Sequence, residues 1–223
     1  MMSRLESTGR ECWLGTARDC SIEPTRIRER LVNPSVEDFG RSSGVSLEAI
    51  SVNRLQNARQ GCSPTPWGMS RLVWSSASIL RWEFEDKSVT ASRIGPAEQG
   101  LPVDDVGARD RVESLVAALK DPTASVSVSI DGTPFQQRVW RALLSVPRGL
   151  VTSYGRLADA VGCRGAARAV GAACAANPVA LIIPCHRVVS ESGGLNGYRW
   201  GIGRKAQLLI WEFEMESPTA PVR

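Results

Sequence analysis

Ile182-Ile183-Pro184-Cys185-His186-Arg187-Val188-Val189 is the stretch on which the reading of this chain turns. An apolar pair runs into a proline, and a thiol and an imidazole then stand side by side. An unperturbed thiol, with a pKa near ~8.5, is only a few per cent thiolate at neutral pH. A nucleophilic cysteine therefore needs a base, and the base often needs an orienting acid. His186 is the only histidine in the chain, so any cysteine–histidine chemistry must use it. Taken alone the dipeptide is weak evidence, because most buried cysteines are inert and most lone histidines are structural. If Ala180–Ile183 forms a brief apolar strand that continues through the motif, Cys185 and His186 point to opposite faces.

Outward from the motif, the second half reads as helices with sharp boundaries. Thr133-Pro134 supplies a cap and a first-turn proline for a helix whose stripe includes Phe135, Val139, Leu143 and Leu144. Pro147-Arg148-Gly149 breaks it. Ser153 can cap the next helix, which uses Leu157, Ala158 and Val161 and stops at Gly162. Ala166 to Ala176 forms another, halted by Asn177-Pro178. Arg204 to Phe213 closes the chain with Leu208, Leu209 and Trp211. The two helices around Gly162-Cys163-Arg164-Gly165 make a helix-turn-helix candidate. The second carries Gly171, Ala172, Ala173, Ala175 and Ala176, so it lacks the long polar side chains of a major-groove reader. It fits either close approach to a narrow groove or tight packing inside the protein, and composition does not separate the two.

Upstream, Thr65-Pro66-Trp67-Gly68 is a turn, and Met69–Trp74 with Ile79–Phe84 reads as a hairpin. Asp104 to Lys120 has a one-sided apolar stripe at 112, 115, 116 and 119, and Ser125 to Ile130 alternates as a strand. These form a small α/β unit spanning 61–130, followed by a mainly helical domain at 131–215 and a tail at 216–223. Residues 1–60 lack sustained periodicity and read as a flexible extension, with a faint helix-turn-helix pattern from Val36 through Gly44 to Leu55.

Composition narrows the class. Hydrophobic residues at 43% and charged residues at 22% are ordinary for a soluble globular chain, so a disordered or membrane-spanning protein is not expected. The start lacks an apolar signal region, which points to a cytoplasmic protein with reduced thiols. The six cysteines include no CxxC pair, and with one histidine they do not supply the four closely spaced ligands of a structural zinc site. No metal or cofactor is expected. The net charge of +4 permits nucleic acid as a partner without requiring it.

The motif in its context resembles the O6-alkylguanine-DNA alkyltransferases. The resemblance rests on Ile182–Val189 with Gly132-Thr133-Pro134-Phe135-Gln136-Gln137, Val151-Thr152-Ser153-Tyr154-Gly155, Arg168-Ala169-Val170-Gly171, Asn177-Pro178 and Gly197-Tyr198-Arg199-Trp200-Gly201. It runs without gaps from about Gly132 to Glu212 and more loosely from about residue 62. It implies a small ribonuclease-H-like α/β unit followed by an alkyltransferase domain with a helix-turn-helix. It also implies that a monomer takes an alkyl group, once, from flipped O6-alkylguanine (and, as a further candidate, O4-alkylthymine) in double-stranded DNA.

By the same resemblance Cys185 is the acceptor, His186 its base through a water, and Glu212 the acid that orients the imidazole. Tyr154 protonates the departing base, and Asn177 ties the helix-turn-helix to the active-site loop. Arg168 fills the vacated stack, while Ala167, Gly171, Ala172 and Ala175 meet the minor groove. Val188, Tyr198 and Arg199 form the substrate pocket. The chain departs from the family at Arg164-Gly165, where a lysine is common, and at the extra thiol of Cys163. Three other readings remain open on the residues alone: a protein that binds alkylated bases without repairing them, a cysteine hydrolase with a Cys-His-Glu triad, and a transcription regulator.

Overall fold

A computed structural model describes residues 22–34, 45–49, 55, 57–85, 96–121 and 123–216. After a short helix α1 (Pro24–Arg28), a five-stranded sheet is assembled from β1 (Val45–Ala49), β2 (Arg59–Thr65), β3 (Gly68–Trp74), β4 (Ile79–Phe84) and β5 (Val126–Ile130). Its order is β1-β5-β4-β3-β2. The run β2–β3–β4 is antiparallel, whereas β4, β5 and β1 are parallel. Between β4 and β5 come a single turn of helix, α2 (Pro96–Gln99), and the longer α3 (Asp105–Ala118). Asp104 caps α3 by accepting from the Gly107 N–H. Ala108, Val112 and Leu115 of α3 join Leu72, Trp82 and Val128 of the sheet in the core.

The expected hairpin is β3–β4, and the expected strand 125–130 is β5. Strand β2 was not anticipated, because Gly61, Ser63 and Pro64 give it little strand character of its own. Tertiary contact explains it. A Cβ on Gly61 would lie 2.5 Å from the Asp104 carbonyl oxygen, so only glycine lets the start of α3 lie this close. The faint helix-turn-helix at 36–55 is overturned at 45–49, which is strand β1, in register from Val45–Val126 to Ala49–Ile130. Val45-Ser46-Leu47-Glu48-Ala49 alternates apolar and polar residues at period two, which suits a strand. Residues 36–44 and 50–54 of that pattern lie outside the described residues.

The second half runs α4 (Pro134–Leu144), β6 (Thr152–Ser153), α5 (Tyr154–Ala160), α6 (Ala167–Ala175), a 3₁₀ turn (Cys185–Arg187), β7 (Val188–Val189) and α7 (Ile202–Met215). Thr133 and Gln136 cap α4 reciprocally, and Ser153 caps α5. The helix boundaries follow the sequence reading closely.

Two expectations are corrected here. Ala180–Ile183 is not a strand, and Cys185 and His186 sit on a 3₁₀ turn rather than on opposite faces of extended chain. The run is apolar because it is buried, yet among the described residues no strand flanks it along its length. Its backbone is satisfied locally. Ile182 N–H donates to Ala180 across Leu181, which has φ +67°, and Cys185 N–H donates to Ile183. A leucine in that left-handed region costs on the order of 1–3 kcal/mol, which the surrounding packing must offset.

The second correction concerns the extension. Residues 22–34 pack against the helical half, with Ile27 fully buried among Val151, Val189, Leu209 and Phe213. Periodicity is missing there because a five-residue helix with one buried residue has none. Among the described residues no helix is long and apolar enough to cross a membrane.

Candidate active site

The loop from Asn177 to Pro184 carries the thiol into place, and the sheet holds the loop. Trp82 N–H donates to the Pro178 carbonyl at 3.0 Å, and Ala180 N–H donates to Trp82 at 2.6 Å. Asn177, fully buried, organises the interior of the loop. Its Nδ2 donates to the Ile183 carbonyl at 2.9 Å and to Cys185 Sγ at 3.2 Å, while its Oδ1 accepts from Val179 N–H at 2.9 Å.

Cys185 and His186 are almost completely buried. Burial pushes the Cys185 thiol up, opposed by the Asn177 hydrogen bond and by the charges of Lys205 and Arg199. His186 Nε2 lies 2.8 Å from Glu212 Oε1. Because a carboxylate only accepts, this nitrogen carries the proton, and Nδ1 presents a lone pair. Nδ1 is buried and has no hydrogen-bond partner among the described residues. Burial holds the imidazole neutral against the pull of Glu212. Burial works against the charge on Glu212 as well, but Arg187 and His186 overcome it and keep the carboxyl well below its ordinary range. Arg187 binds both carboxylate oxygens, with Nε at 3.1 and 3.0 Å. The arrangement supplies a neutral imidazole, oriented by an anion, beside a hydrogen-bonded thiol.

A cleft of about 450 Å³ opens onto the thiol, lined by Tyr154, Gly171, Cys174, Ala175, Cys185 and residues 196–199. It thus brings together Cys185, Tyr154, Tyr198, Arg199, Gly171 and Ala175 of the expected residues. His186, Asn177 and Glu212 stand behind it. Tyr154 Oη donates to the Asn196 carbonyl at 3.3 Å, and burial, with the nearby Cys174 and Cys185, raises its phenol to about 12. Arg199 is pinned from two sides: Nη1 donates to the Asn177 carbonyl, and Nη2 meets Glu83 of β4 at 2.5 Å. Val188 is fully buried and does not line the cleft; its carbonyl accepts from Lys205 Nζ at 2.6 Å. Arg168 is exposed on α6, and so are Ala172 and Ala175, while Ala167 and Gly171 are half-buried. Packing inside the protein therefore does not explain the small residues of that face. The core side of α6 is Val170, Ala173 and Cys174.

Sequence reasoning missed Lys205, Arg187 and Cys174. Lys205 is fully buried, donates to the carbonyls of Val188, Asn196 and Gly197, and is pushed down to about 8 by burial. A signal was present: Lys205, Leu208, Leu209 and Glu212 fall at i, i+3, i+4 and i+7, so two charges share the apolar stripe of α7. Nothing in the spacing marks Arg187 as the partner of Glu212.

The fold and site define a mixed α/β protein centred on a buried cysteine backed by a histidine–glutamate pair. Residues 134–214 match the family described as 6-O-methylguanine DNA methyltransferase, DNA binding domain. A methylated-DNA–protein-cysteine methyltransferase of Mycobacterium leprae is 41% identical over 150 residues, covering 66% of this chain and 88% of the relative. The chain belongs to this methyltransferase family. The bifunctional transcriptional activator/DNA repair enzyme Ada of Escherichia coli is 49% identical over 123 residues, 54% of this chain, which spans only 34% of that relative's length. The crystal structure of Mycobacterium tuberculosis OGT in complex with DNA superposes with a TM-score of 0.59 at 37% identity, covering 70% of this chain and 94% of that one.

Proposed function

We propose that this protein repairs alkylated DNA directly, moving a methyl or larger alkyl group from O6 of guanine to Cys185 once per molecule. The observation that carries the reading is the Cys185 thiol at the wall of a cleft, held by Asn177 and beside the His186–Glu212 pair. Inside a duplex the O6 carbon is out of reach, so the nucleotide is rotated out into the cleft. His186 Nδ1 takes the thiol proton through an intervening water. The thiolate then attacks the alkyl carbon; the S–C bond forms as the C–O6 bond breaks. Tyr154 gives its proton to the departing base and is reprotonated by way of solvent as the His186 imidazolium gives up the thiol's proton, so the net result is a thioether and an unmodified guanine with one proton more. A thioether is a poor leaving group, so the protein does not turn over. No step calls for a cofactor. O4-alkylthymine fits the same chemistry as a second substrate.

α5 and α6 act as a helix-turn-helix that enters the minor groove. Ala167, Gly171, Ala172 and Ala175 allow the close approach, and Arg168 fills the vacated stack. Tyr198 and Arg199 border the base pocket, with Val188 contributing through its backbone. The sheet supports a ribonuclease-H-like description of residues 61–130, with β1 from upstream completing its parallel edge; residues 131–215 form the transfer domain. The protein works as a monomer on double-stranded DNA in the cytoplasm.

The test is a mass measurement after mixing the protein with a duplex that carries one O6-methylguanine. One methyl group, about 14 Da for replacing S–H by S–CH3, is expected on the Cys185 peptide alone, with repaired guanine equal to protein and then no more. Cys185→Ala binds the DNA and transfers nothing. Several repaired guanines per molecule would overturn the single-turnover reading in favour of hydrolysis, and unmodified guanine adduct with bound DNA would leave a binding-only protein.

A further inference from the structure

Residues 22–34 lie outside the family match at 134–214, yet they are fastened to the back of the transfer machinery. Ile27 of α1 is buried against Val151, Val189, Leu209 and Phe213. Beyond it the chain runs beside residue 151: Val32 N–H donates to the Val151 carbonyl at 2.8 Å, and Val151 N–H to Arg30 at 3.0 Å. This bridge extends the β6–β7 pair by a third short segment, and β7 follows directly on the turn that carries Cys185 and His186.

Arg30 makes the specific connection. Its Nη1 donates to the Gly149 carbonyl at 2.8 Å, and its guanidinium lies 4.3 Å from the centre of the Phe213 ring. Gly149 N–H in turn donates to Glu212 Oε2 at 3.3 Å. Gly149 has φ +74°, and a Cβ there would fall 2.5 Å from Glu216 Cγ, so this position takes only glycine without strain. Arg30 therefore grips the residue that donates to Glu212 and also the residue that follows Glu212 on α7.

We infer that Arg30 is a positioning residue for the proton relay, holding Glu212 in line with His186 through Gly149 and Phe213. The inference rests on the reading of Glu212 and His186 as the relay for Cys185. Other charged groups around the relay are accounted for. Arg187 and His186 bind Glu212 directly, Lys205 acts on His186 and Glu212 on Tyr198 through space, Arg26 lies 5.8 Å from the centre of the Phe213 ring, and the Arg148–Glu216 pair sits beside Gly149. None of these touches the Gly149 carbonyl among the described contacts.

The experiment compares the full chain with Arg30→Met, Arg30→Gln, Arg30→Lys and Glu212→Gln. Single-turnover methyl transfer from an O6-methylguanine duplex, and Cys185 alkylation by iodoacetamide, are each followed from about pH 6 to about pH 9, well below every thermal midpoint. Arg30→Met and Arg30→Gln are expected to slow both reactions about three- to tenfold, the scale of one lost hydrogen bond. Their pH profiles move upward in the same direction as that of Glu212→Gln. Arg30→Lys, which keeps a charged donor, stays within about twofold of the parent on that scale. DNA affinity does not change. If Glu212→Gln moves the profile while Arg30→Met and Arg30→Gln do not, whatever their thermal midpoints, the strap is only structural and the inference fails. If Glu212→Gln itself leaves the profile unmoved, the relay reading fails and takes the inference with it.

Discussion

Asn177→Ala removes the one side chain that both closes the active-site loop and touches the nucleophile. One buried backbone donor, the Val179 N–H bonded at 2.9 Å, loses its partner, while the Ile183 carbonyl keeps the bond from Cys185 N–H. Stranding that one buried polar group costs the fold about 1–3 kcal/mol. For a chain of this size that lowers the thermal midpoint by roughly 2–12 °C, leaving a folded protein at low temperature. The chemical effect is separate. The bond from Nδ2 to Cys185 Sγ, at 3.2 Å, opposes the burial that raises the thiol. A hydrogen bond to a charged acceptor is worth about 1.5–3 kcal/mol, which corresponds to about one to two pKa units. Transfer at neutral pH should then fall about 10- to 100-fold, with the loss partly recovered at high pH. Rapid-quench measurement of methyl transfer across pH, at about 15 °C where the variant is folded, supplies the test. A rate within about twofold of the parent at every pH would refute the assignment of Asn177 to the thiol, since the loss predicted for a bond to charge is at least tenfold.

Two further outcomes follow from the same geometry. Arg168→Ala should slow repair in duplex DNA far more than attack on free O6-benzylguanine, because Arg168 is exposed on α6 and is not among the described residues that line the cleft at the thiol; equal losses would remove it from the DNA-facing role. Glu212 is buried and its carboxyl is depressed from 4.5, so its contribution to stability is present above the unfolded value and disappears as pH falls below it. For a buried, paired carboxylate that contribution is roughly 2–3 kcal/mol, so the fall in thermal midpoint between about pH 6 and about pH 3 should be smaller in Glu212→Gln than in the parent. An equal fall in both would show that other carboxylates govern the acid limb.

The family, the helix boundaries of the second half and the cluster around Cys185 were legible in the chain, because each depends on local signals. Thr133-Pro134 and Ser153 cap helices by contacts within four residues, and the Pro184-Cys185-His186-Arg187 run needs no distant partner to be recognised. The apolar stripe of α7 was legible as a helix, but not the two charges within it, since burial of Lys205 depends on carbonyls from 188, 196 and 197. Only the tertiary structure decided the rest. Whether Ala180–Ile183 is strand or loop turns on whether a neighbouring strand exists to pair with it, and Trp82 reaches just its first residues. Whether 45–49 is helix or strand turns on β5, where Val45 pairs with the distant Val126, and strand β2 on the close seat that Gly61 gives α3. The strap at 22–34 buries one isoleucine and fastens it through Arg30, too little pattern to register along the chain. Its order comes from the surface of α7 and residues 149–151, which the sequence does not place beside it.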